Sequence, residues 1–273
     1  MEPIPDTLGL IAGSRSLPRT VARLAREAGA RRLIAVGFQG ETDPALSECV
    51  DELAWVKVGQ LGKMIKALRS AGVAHCVMAG QISPKRLFDL RPDLRALAVL
   101  LRLQERNART IFSAIANELQ KDGIDLLDAR PWLKPIIPGS GYAVGPKLST
   151  SQREDLALGY RIAKEVSRLE IGQTVVVKGG AVLAVEGFEG TDACLQRGGE
   201  LAGRNGGAVA VKVASETHDF RFDIPCIGAQ TLDGCLRARI AVLAFESERT
   251  LLLDRAEIEA RASGAGLTLT TVG

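Results

Sequence analysis

The residues best suited to chemistry lie between Val185 and Thr231. Acidic and basic side chains alternate in this segment, namely Glu186, Glu189, Asp192, Asp219 and Asp223 with Arg197, Lys212 and Arg221. Acidic side chains that converge from turns can hold a divalent cation, and basic side chains with helix-start amides can hold a phosphate. The segment therefore predicts a metal-assisted site for a phosphate ester or a phosphoanhydride.

The run D-F-R-F-D covers Asp219 to Asp223 and alternates charged with aromatic side chains. In an extended segment, this alternation places Asp219, Arg221 and Asp223 on one side and both phenylalanines on the other. A solvated edge strand would show the same alternation, with the arginine bridging the two acids. Pro225 and Gly228 favour a site over that alternative, because they break the strand and leave the charges near its C-terminal end.

Magnesium is the ion that suits this set of acids. It keeps several waters and takes only about one or two protein carboxylates together with substrate phosphates. Asp223 with Asp219 or Glu189 would meet that need, and the three basic residues of the segment would stabilise charge that develops on the phosphoryl group. The chain has 2 histidines, too few for a histidine-based metal site.

The elements that must position these residues alternate between strands and helices. In the second half, a capping pattern at Ser151 and Glu154 predicts the start of a helix. Strands are predicted at Thr174–Val177, Ala181–Val185 and Ala208–Val213. Thr191 is predicted to cap a short helix whose N-terminus lies beside Glu186 and Glu189.

The first half reads as a parallel α/β unit. Strands are predicted at Leu8–Ala12, Arg32–Val36, Leu53–Val58 and Val73–Ala79, with helical patterns between them. Gly13 and Gly80 each follow a strand, at the edge where open α/β sheets bind ligands. Ser14, Arg15 and Ser16 do not continue a dinucleotide fingerprint, so a nicotinamide or flavin site is rejected. Two interpretations of the glycines stay open: a tight strand-to-helix turn, or backbone amides that contact a nucleotide or sugar.

A Pro- and Gly-rich stretch divides the chain. Residues 131–150 contain four prolines and three glycines, so we expect no regular structure there and interpret the stretch as a boundary or a connecting loop. The expected fold is α/β: a Rossmann-like parallel-sheet domain over residues 1–130, the connection over 131–150, and a second mixed α/β domain, the catalytic one, over 151–273.

The composition indicates a soluble globular protein. Of the 273 residues 46% are hydrophobic and 25% are charged, with a formal net charge of +3. This balance excludes the basic footprint of a nucleic-acid binder and the acidity of a disordered chain. The 5 cysteines form no Cys-x-x-Cys pair, so we expect reduced, idle thiols. No signal-peptide pattern precedes Leu8, and we expect a cytoplasmic protein.

The apolar segment Leu94–Leu103 is flanked by arginines and has two interpretations. Its amphipathic pattern favours an ordinary core helix. The alternative is a helix that lies on a lipid surface and gives the protein a peripheral contact with the membrane.

Six motifs carry a resemblance that runs almost from end to end. They are L-G-L-I-A-G…L-P at 8–18, V-G-Q-L-G-K at 58–63, A-G-Q-I-S-P at 79–84, I-G-Q-T-V-V-V at 171–177, A-V-E-G-F-E-G-T-D at 184–192 and D-F-R-F-D-I-P-C-I-G at 219–228. With these motifs the chain resembles the LpxI family of UDP-2,3-diacylglucosamine pyrophosphatases. The motifs of the second half are long and unusual enough to be specific.

The resemblance implies magnesium-dependent hydrolysis of UDP-2,3-diacylglucosamine to 2,3-diacylglucosamine 1-phosphate and UMP in lipid A biosynthesis, with the substrate between two domains and a peripheral contact with the inner membrane. The aspartate of the family's R-x-D-x-P motif matches Asp223. The implied catalytic residues are Asp223, Arg221, Asp219 and Lys212, and the implied metal ligands are Asp223, Asp219 and Glu189. The implied substrate-binding residues are Gly13, Ser14, Leu17, Pro18, Gly80, Gln173, Glu189, Gly190, Thr191, Asp192, Arg197 and Thr231.

Two departures from the family pattern lie in the first half. Ser14, Arg15 and Ser16 replace a glycine-rich turn, and R-N-A-R at 106–109 replaces acidic residues. Two alternatives to the pyrophosphatase therefore stay open: a non-catalytic binder of a nucleotide sugar, and a pyrophosphatase for another nucleotide sugar. The sequence leaves open whether the chain forms a homodimer.

Overall fold

The computed structural model describes residues 4–82, 92–105, 108–215, 219–222 and 224–273. The chain forms two compact units. The first comprises Met1–Leu133 and Asp219–Asp223, and the second comprises Lys134–His218 and Ile224–Gly273. A short segment far along the chain therefore belongs to the N-terminal unit.

The first unit contains a five-stranded parallel sheet in the order β3-β2-β1-β4-β5. The strands are β1 (Thr7–Ala12), β2 (Arg32–Phe38), β3 (Glu52–Val56), β4 (His75–Ala79) and β5 (Asp125–Leu126). Its central strands are continuous apolar runs because both faces of a parallel sheet are covered. The predicted Rossmann-like sheet is confirmed, and the strand order reverses between β1 and β4.

The helices of this unit are α1 (Leu17–Glu27), α2 (Leu61–Ser70), α3 (Leu94–Arg102), α4 (Ala108–Lys121) and α5 (Arg130–Leu133), with a 3-10 turn at Pro44–Glu48. Leu68 of α2 and Leu119 of α4 are fully buried in the core that these helices share with the sheet. Asp93 caps α3 and also accepts a hydrogen bond from Gly62 N at 2.8 Å, which joins α3 to α2.

The second unit contains a six-stranded mixed sheet in the order β6-β13-β11-β9-β7-β8. The strands are β6 (Ala143–Val144), β7 (Thr174–Lys178), β8 (Ala181–Val185), β9 (Ala208–Lys212), β11 (Ile240–Glu246) and β13 (Thr268–Val272), and β10 (Cys226–Ile227) pairs with β12 (Leu251–Leu252) in a separate small sheet. β9, β11 and β13 run parallel, whereas β7 is antiparallel to both of its neighbours. The predicted second α/β unit is therefore confirmed as mixed.

Four helices cover this sheet: α6 (Thr150–Arg168), α7 (Thr191–Leu201), α8 (Ala229–Arg237) and α9 (Arg255–Gly264). α6 begins with a capping box in which Ser149 and Gln152 exchange hydrogen bonds, two residues before the pattern at Ser151 and Glu154 that predicted it. Ser151 and Glu154 do not form the capping box, because Ser149 is the N-cap and Gln152 is the N3 residue that returns its hydrogen bond.

The Pro- and Gly-rich stretch is more ordered than its composition predicts. It contains most of α5, a 3-10 turn at Lys134–Ile136 and β6, and the division between the two units falls within it. β6 lies antiparallel to β13 at the edge of the sheet, and the four prolines of the stretch all lie outside it. Among the helices of the described residues, none is long and apolar enough to cross a membrane.

Candidate functional site

Three strand ends meet at one edge of the mixed sheet. Lys212 ends β9 and lies opposite Thr174, which begins the antiparallel β7. Glu186 follows β8, and its backbone N–H donates to Thr174 O at 2.8 Å. Lys212, Thr174 and Glu186 are all buried. The antiparallel course of β7 thus gathers polar residues from three distant parts of the sequence.

The Glu186 carboxylate accepts hydrogen bonds from two other residues of this edge. Its Oε1 accepts a hydrogen bond from Thr191 Oγ1 at 3.0 Å, and its Oε2 accepts one from Gln173 N at 3.4 Å. The hydroxyls of Thr174 and Thr191 lie 3.4 Å apart. Sequence reasoning noted the Glu186 carboxylate but did not select it as a site residue. Its place directly after a predicted strand and before a predicted helix cap was the available signal.

Gln173 contributes an orphaned acceptor to the same edge. Among the described residues, its Oε1 is buried without a hydrogen-bond partner, although the main chain of the residue is held by Val213 N, which donates to Gln173 O at 2.9 Å. Buried side-chain oxygens normally have a partner, and one that lacks it destabilises the fold. This oxygen could accept a hydrogen bond from substrate, which gives a physical reason for the prediction that Gln173 binds substrate.

Two helices begin beside these strand ends. α7 starts after Gly190, whose φ of 84° is in the left-handed region that glycine adopts readily, and α8 starts after Gly228. Because each N-cap residue is a glycine, neither helix has a side-chain cap from its N-cap in the described structure, and the first-turn N–H groups give each start a positive potential that suits an anion. Gln230 Nε2 donates to Asp192 Oδ2 at 2.6 Å and joins the two first turns.

Lys212 supplies the positive charge next to these helices. Its Nζ donates to Cys226 O at 3.1 Å, two residues before Gly228. Burial raises the pKa of the Cys235 thiol to about 12, with Asp192 raising it further and Lys212 lowering it, so both charges act on the same buried group. The high pKa also makes this thiol inert, as expected for an idle cysteine. Burial likewise raises the pKa of the Cys76 and Cys194 thiols to about 12.

Glu189 and Arg197 form an exposed pair beside this edge. Arg197 Nη2 donates to Glu189 Oε1 at 2.6 Å and to Val185 O at 2.8 Å. Hydrogen bonds from its own backbone and then from Arg197 hold the pKa of Glu189 below its ordinary value. The carboxylate is therefore ionised at neutral pH.

The D-F-R-F-D motif does not form the extended segment that its alternation predicts. Asp219–Phe222 is a tight turn in which Phe222 N donates to Asp219 O at 3.2 Å. Arg221 folds back on Asp219, with Nη2 to Oδ2 at 2.6 Å and Nε to Oδ1 at 2.9 Å, and this contact raises the pKa of the guanidinium. Because one bidentate ion pair closes the turn, Asp219 and Arg221 do not line one side of a strand. Asp223, His218 and R-N at 106–107 lie outside the described residues.

Gly13 and Gly80 allow two backbones to touch at the carboxyl end of the parallel sheet. A Cβ on Gly13 would lie 2.5 Å from Gln81 O, and one on Gly80, at φ 88°, would lie 2.5 Å from Ser14 O. Ser14 N donates to Gln81 O at 2.7 Å, and Ser14 Oγ donates to the same oxygen at 2.8 Å. This close approach gives both glycines a structural role, and their contact with substrate stays a prediction.

The other predicted residues of this edge belong to the start of α1. Pro18 is buried in its first turn and Leu17 is half-buried. Arg15, part of the segment that departs from the family's glycine-rich turn, has a φ of 70°, in the left-handed region that glycine adopts readily. Its side chain is exposed.

Each unit therefore brings part of the predicted set together. The edge of the mixed sheet gathers Gln173, Glu189, Gly190, Thr191, Asp192, Arg197, Lys212 and Thr231, and the first unit holds Gly13, Ser14, Leu17, Pro18 and Gly80 at its sheet edge and Asp219 and Arg221 in the turn. Within the described ranges, no group of three or more His, Cys, Asp or Glu residues is placed to hold a metal ion.

Two family models together match most of the chain. Residues 7–136 match the LpxI N-terminal domain, and residues 139–270 match the LpxI C-terminal domain. A Caulobacter vibrioides protein named UDP-2,3-diacylglucosamine pyrophosphatase LpxI is 33% identical over 270 residues, which covers 95% of each chain. Among solved structures, the ADP complex of the N5-carboxyaminoimidazole ribonucleotide synthetase purK matches 71% of this chain and 45% of its own, at 12% identity and a TM-score of 0.29, and this likeness carries no argument.

Proposed function

The chain belongs to the LpxI family, and from that membership we propose that it hydrolyses the diphosphate of UDP-2,3-diacylglucosamine in lipid A biosynthesis. The products would be 2,3-diacylglucosamine 1-phosphate and UMP. The observation that carries the proposal is the 33% identity, over 95% of each chain, to a protein that bears this activity in its name.

The polar edge of the mixed sheet suits a diphosphate. An ammonium group has three N–H donors, and the described contacts of Lys212 occupy one of them, at Cys226 O. Its other donors and the uncapped first turns of α7 and α8 supply positive potential where phosphoryl charge develops. Glu186 orients the Thr191 hydroxyl, and Gln173 Oε1 offers an acceptor to a substrate donor.

Magnesium is part of the proposal, with Asp223, Asp219 and Glu189 as its ligands. Carboxylate oxygens are the donors that this ion prefers, and it needs only about one or two of them beside waters and substrate phosphates. The donor chemistry therefore fits, although Asp219 and Glu189 each pair with an arginine in the described structure. When bound, the ion would neutralise the diphosphate and lower the pKa of an attacking water. Arg221 and Arg197 would contribute positive charge for the substrate phosphates.

The test is release of UMP from UDP-2,3-diacylglucosamine by the purified protein, with and without a chelator, for the wild type and Asp223→Asn. We expect turnover that chelation abolishes and that the variant lowers by roughly a hundred-fold or more. Native turnover by Asp223→Asn would overturn its assignment. Binding without turnover would favour the non-catalytic alternative, and equal turnover of an unacylated UDP-sugar would favour a broader pyrophosphatase.

A peripheral membrane contact belongs to the same proposal. Leu94, Leu97 and Leu101 lie on one face of α3 and are 87%, 43% and 71% exposed. The interpretation of this segment as an ordinary core helix accounts only for the opposite face, where Ala96 and Val99 are buried. Exposed basic residues lie on α3 and on α2, which packs beside it: Arg102, Lys63, Lys66 and Arg69. Apolar and basic side chains together suit an anionic lipid surface.

Flotation with liposomes tests this contact. We expect the wild type to bind vesicles that contain phosphatidylglycerol and Leu94→Ser with Leu101→Ser to lose that binding, while UMP release from detergent-solubilised substrate is kept. Equal flotation of the two proteins would contradict the proposed surface.

A further inference from the structure

The turn Asp219–Phe222 is held by the N-terminal unit although its neighbours in sequence belong to the second unit. The Phe222 ring stacks on Phe112 of α4, with ring centroids 5.5 Å apart and planes at 20°. Phe222 also packs against the hydrophobic core of the first unit. The aromatic half of the motif is therefore a structural anchor.

Arg130 holds the second aromatic ring of the turn. Its guanidinium carbon lies 3.5 Å from the centroid of the Phe220 ring. Asp128 fixes this guanidinium by accepting from Nε at 2.8 Å and from Nη2 at 2.6 Å. A planar cation that is already held by a carboxylate can stack on a ring with little further loss of side-chain freedom.

The described residues on either side of the turn form hydrogen bonds within the second unit. Glu246 Oε2 accepts from Ala214 N at 2.8 Å, and Arg249 Nη2 donates to Ser215 O at 2.7 Å. On the returning side, Leu251 N donates to Pro225 O at 2.8 Å. The described residues that flank the segment, Ala214, Ser215 and Pro225, are therefore held within the second unit.

We propose that Phe112 and Arg130 are positioning residues of the active site, which fix the turn Asp219–Phe222 by holding its two aromatic rings. The inference rests on the proposed function, in which Asp219, Arg221 and Asp223 act on the diphosphate. Catalytic groups lose rate steeply when they are displaced by about 1 Å, so the stack sets how often the acidic turn is in place. Phe112 and Arg130 touch neither substrate nor ion in this scheme.

Hydrogen exchange and steady-state kinetics on the full chain test the inference. For Phe112→Ala we expect the peptide that spans Asp219 to Phe222 to exchange roughly two- to ten-fold faster, the factor that an aromatic pair contributes. We expect kcat to fall roughly ten-fold or more with little change in KM. Phe112→Tyr, which keeps the ring, should restore both, and Arg130→Lys, which loses the planar group, should change both in the direction of Phe112→Ala.

Phe38→Ala is the matched control, since Phe38 is half-buried in the same core but does not stack on the turn. It should lower stability and leave both the exchange of that peptide and kcat unchanged. If Phe112→Ala behaved like Phe38→Ala, or sped exchange without lowering kcat, the positioning role would be overturned. If the wild type released no UMP, the proposed function would be wrong. Hydrogen exchange requires no turnover, so the exchange rate of the peptide would still show whether Phe112 anchors the turn.

Discussion

At the carboxyl ends of β1 and β4, backbone atoms fill the space between the strands, whereas polar side chains fill it at the ends of β8 and β9. Gly13 and Gly80 have no side chains, which leaves room for Ser14 to pair with Gln81. At the other edge, buried Lys212 and Glu186 keep long polar side chains. Strand ends of α/β sheets are usual places for ligands. The difference teaches that, among the described residues, the second edge is the one that holds buried charged side chains at its strand ends, and the following substitutions test that contrast.

Replacing Lys212 by Met should produce the largest effect on activity. Loss of a preorganised cation beside a phosphoryl group is expected to lower kcat by roughly a hundred- to a thousand-fold. Steady-state UMP release measures it. Lys178→Met is the matched control, because Lys178 lies in β7 of the same sheet and also donates a hydrogen bond to a backbone carbonyl, Ala202 O at 2.7 Å. Equal losses in both variants would reduce Lys212 to a structural lysine.

Replacing Gly80 by Ala should act on stability first. The new Cβ would meet Ser14 O at 2.5 Å while φ is 88°, so the strand ends must separate. Gly72→Ala is the control, with φ 76° and nothing within 4 Å of the added atom. The control should cost about 1–2 kcal/mol for the left-handed backbone alone, and Gly80→Ala about 1–3 kcal/mol more for the overlap. Denaturant unfolding measures both. If Gly80→Ala were as stable as Gly72→Ala but inactive, the first edge would be a ligand site like the second.

The sequence predicted the first edge more fully than the second, for a physical reason. Apolar runs located β1 and β4, and parallel pairing then places Gly13 and Gly80 side by side. The second edge depends on β7 running antiparallel to β9, which sets Thr174 opposite Lys212 across a sequence gap that no periodicity spans. The alternation of charged and aromatic residues predicted an extended segment at 219–222, where the structure has a turn. The same spacing of two residues also lets Arg221 fold back onto Asp219.

Replacing Gln173 by Leu should separate function from stability at the second edge. The buried Oε1 has no partner in the part of the chain that the structure describes, and its removal relieves a polar group that is costly to bury. We therefore expect the free energy of unfolding to stay the same or to rise by up to about 1 kcal/mol. If the oxygen accepts a hydrogen bond from substrate, KM should rise roughly five- to ten-fold, measured by UMP release. A destabilised variant with native KM would instead make Gln173 a structural residue.

The smallest expected effect concerns the exposed pair Glu189 and Arg197 at the rim of the second edge. The pKa of Glu189 is held below its ordinary value of 4.5, so the pair stabilises the fold above that pH and loses this contribution as the pH falls through the lowered value. The difference in Tm between wild type and Glu189→Gln should therefore be small at pH 7 and vanish in acid. In a double-mutant cycle with Arg197→Gln, the coupling should vanish over the same range. A coupling that persisted when Glu189 is protonated would mean that the contact with Val185 O, and not the ion pair, holds Arg197 at this edge.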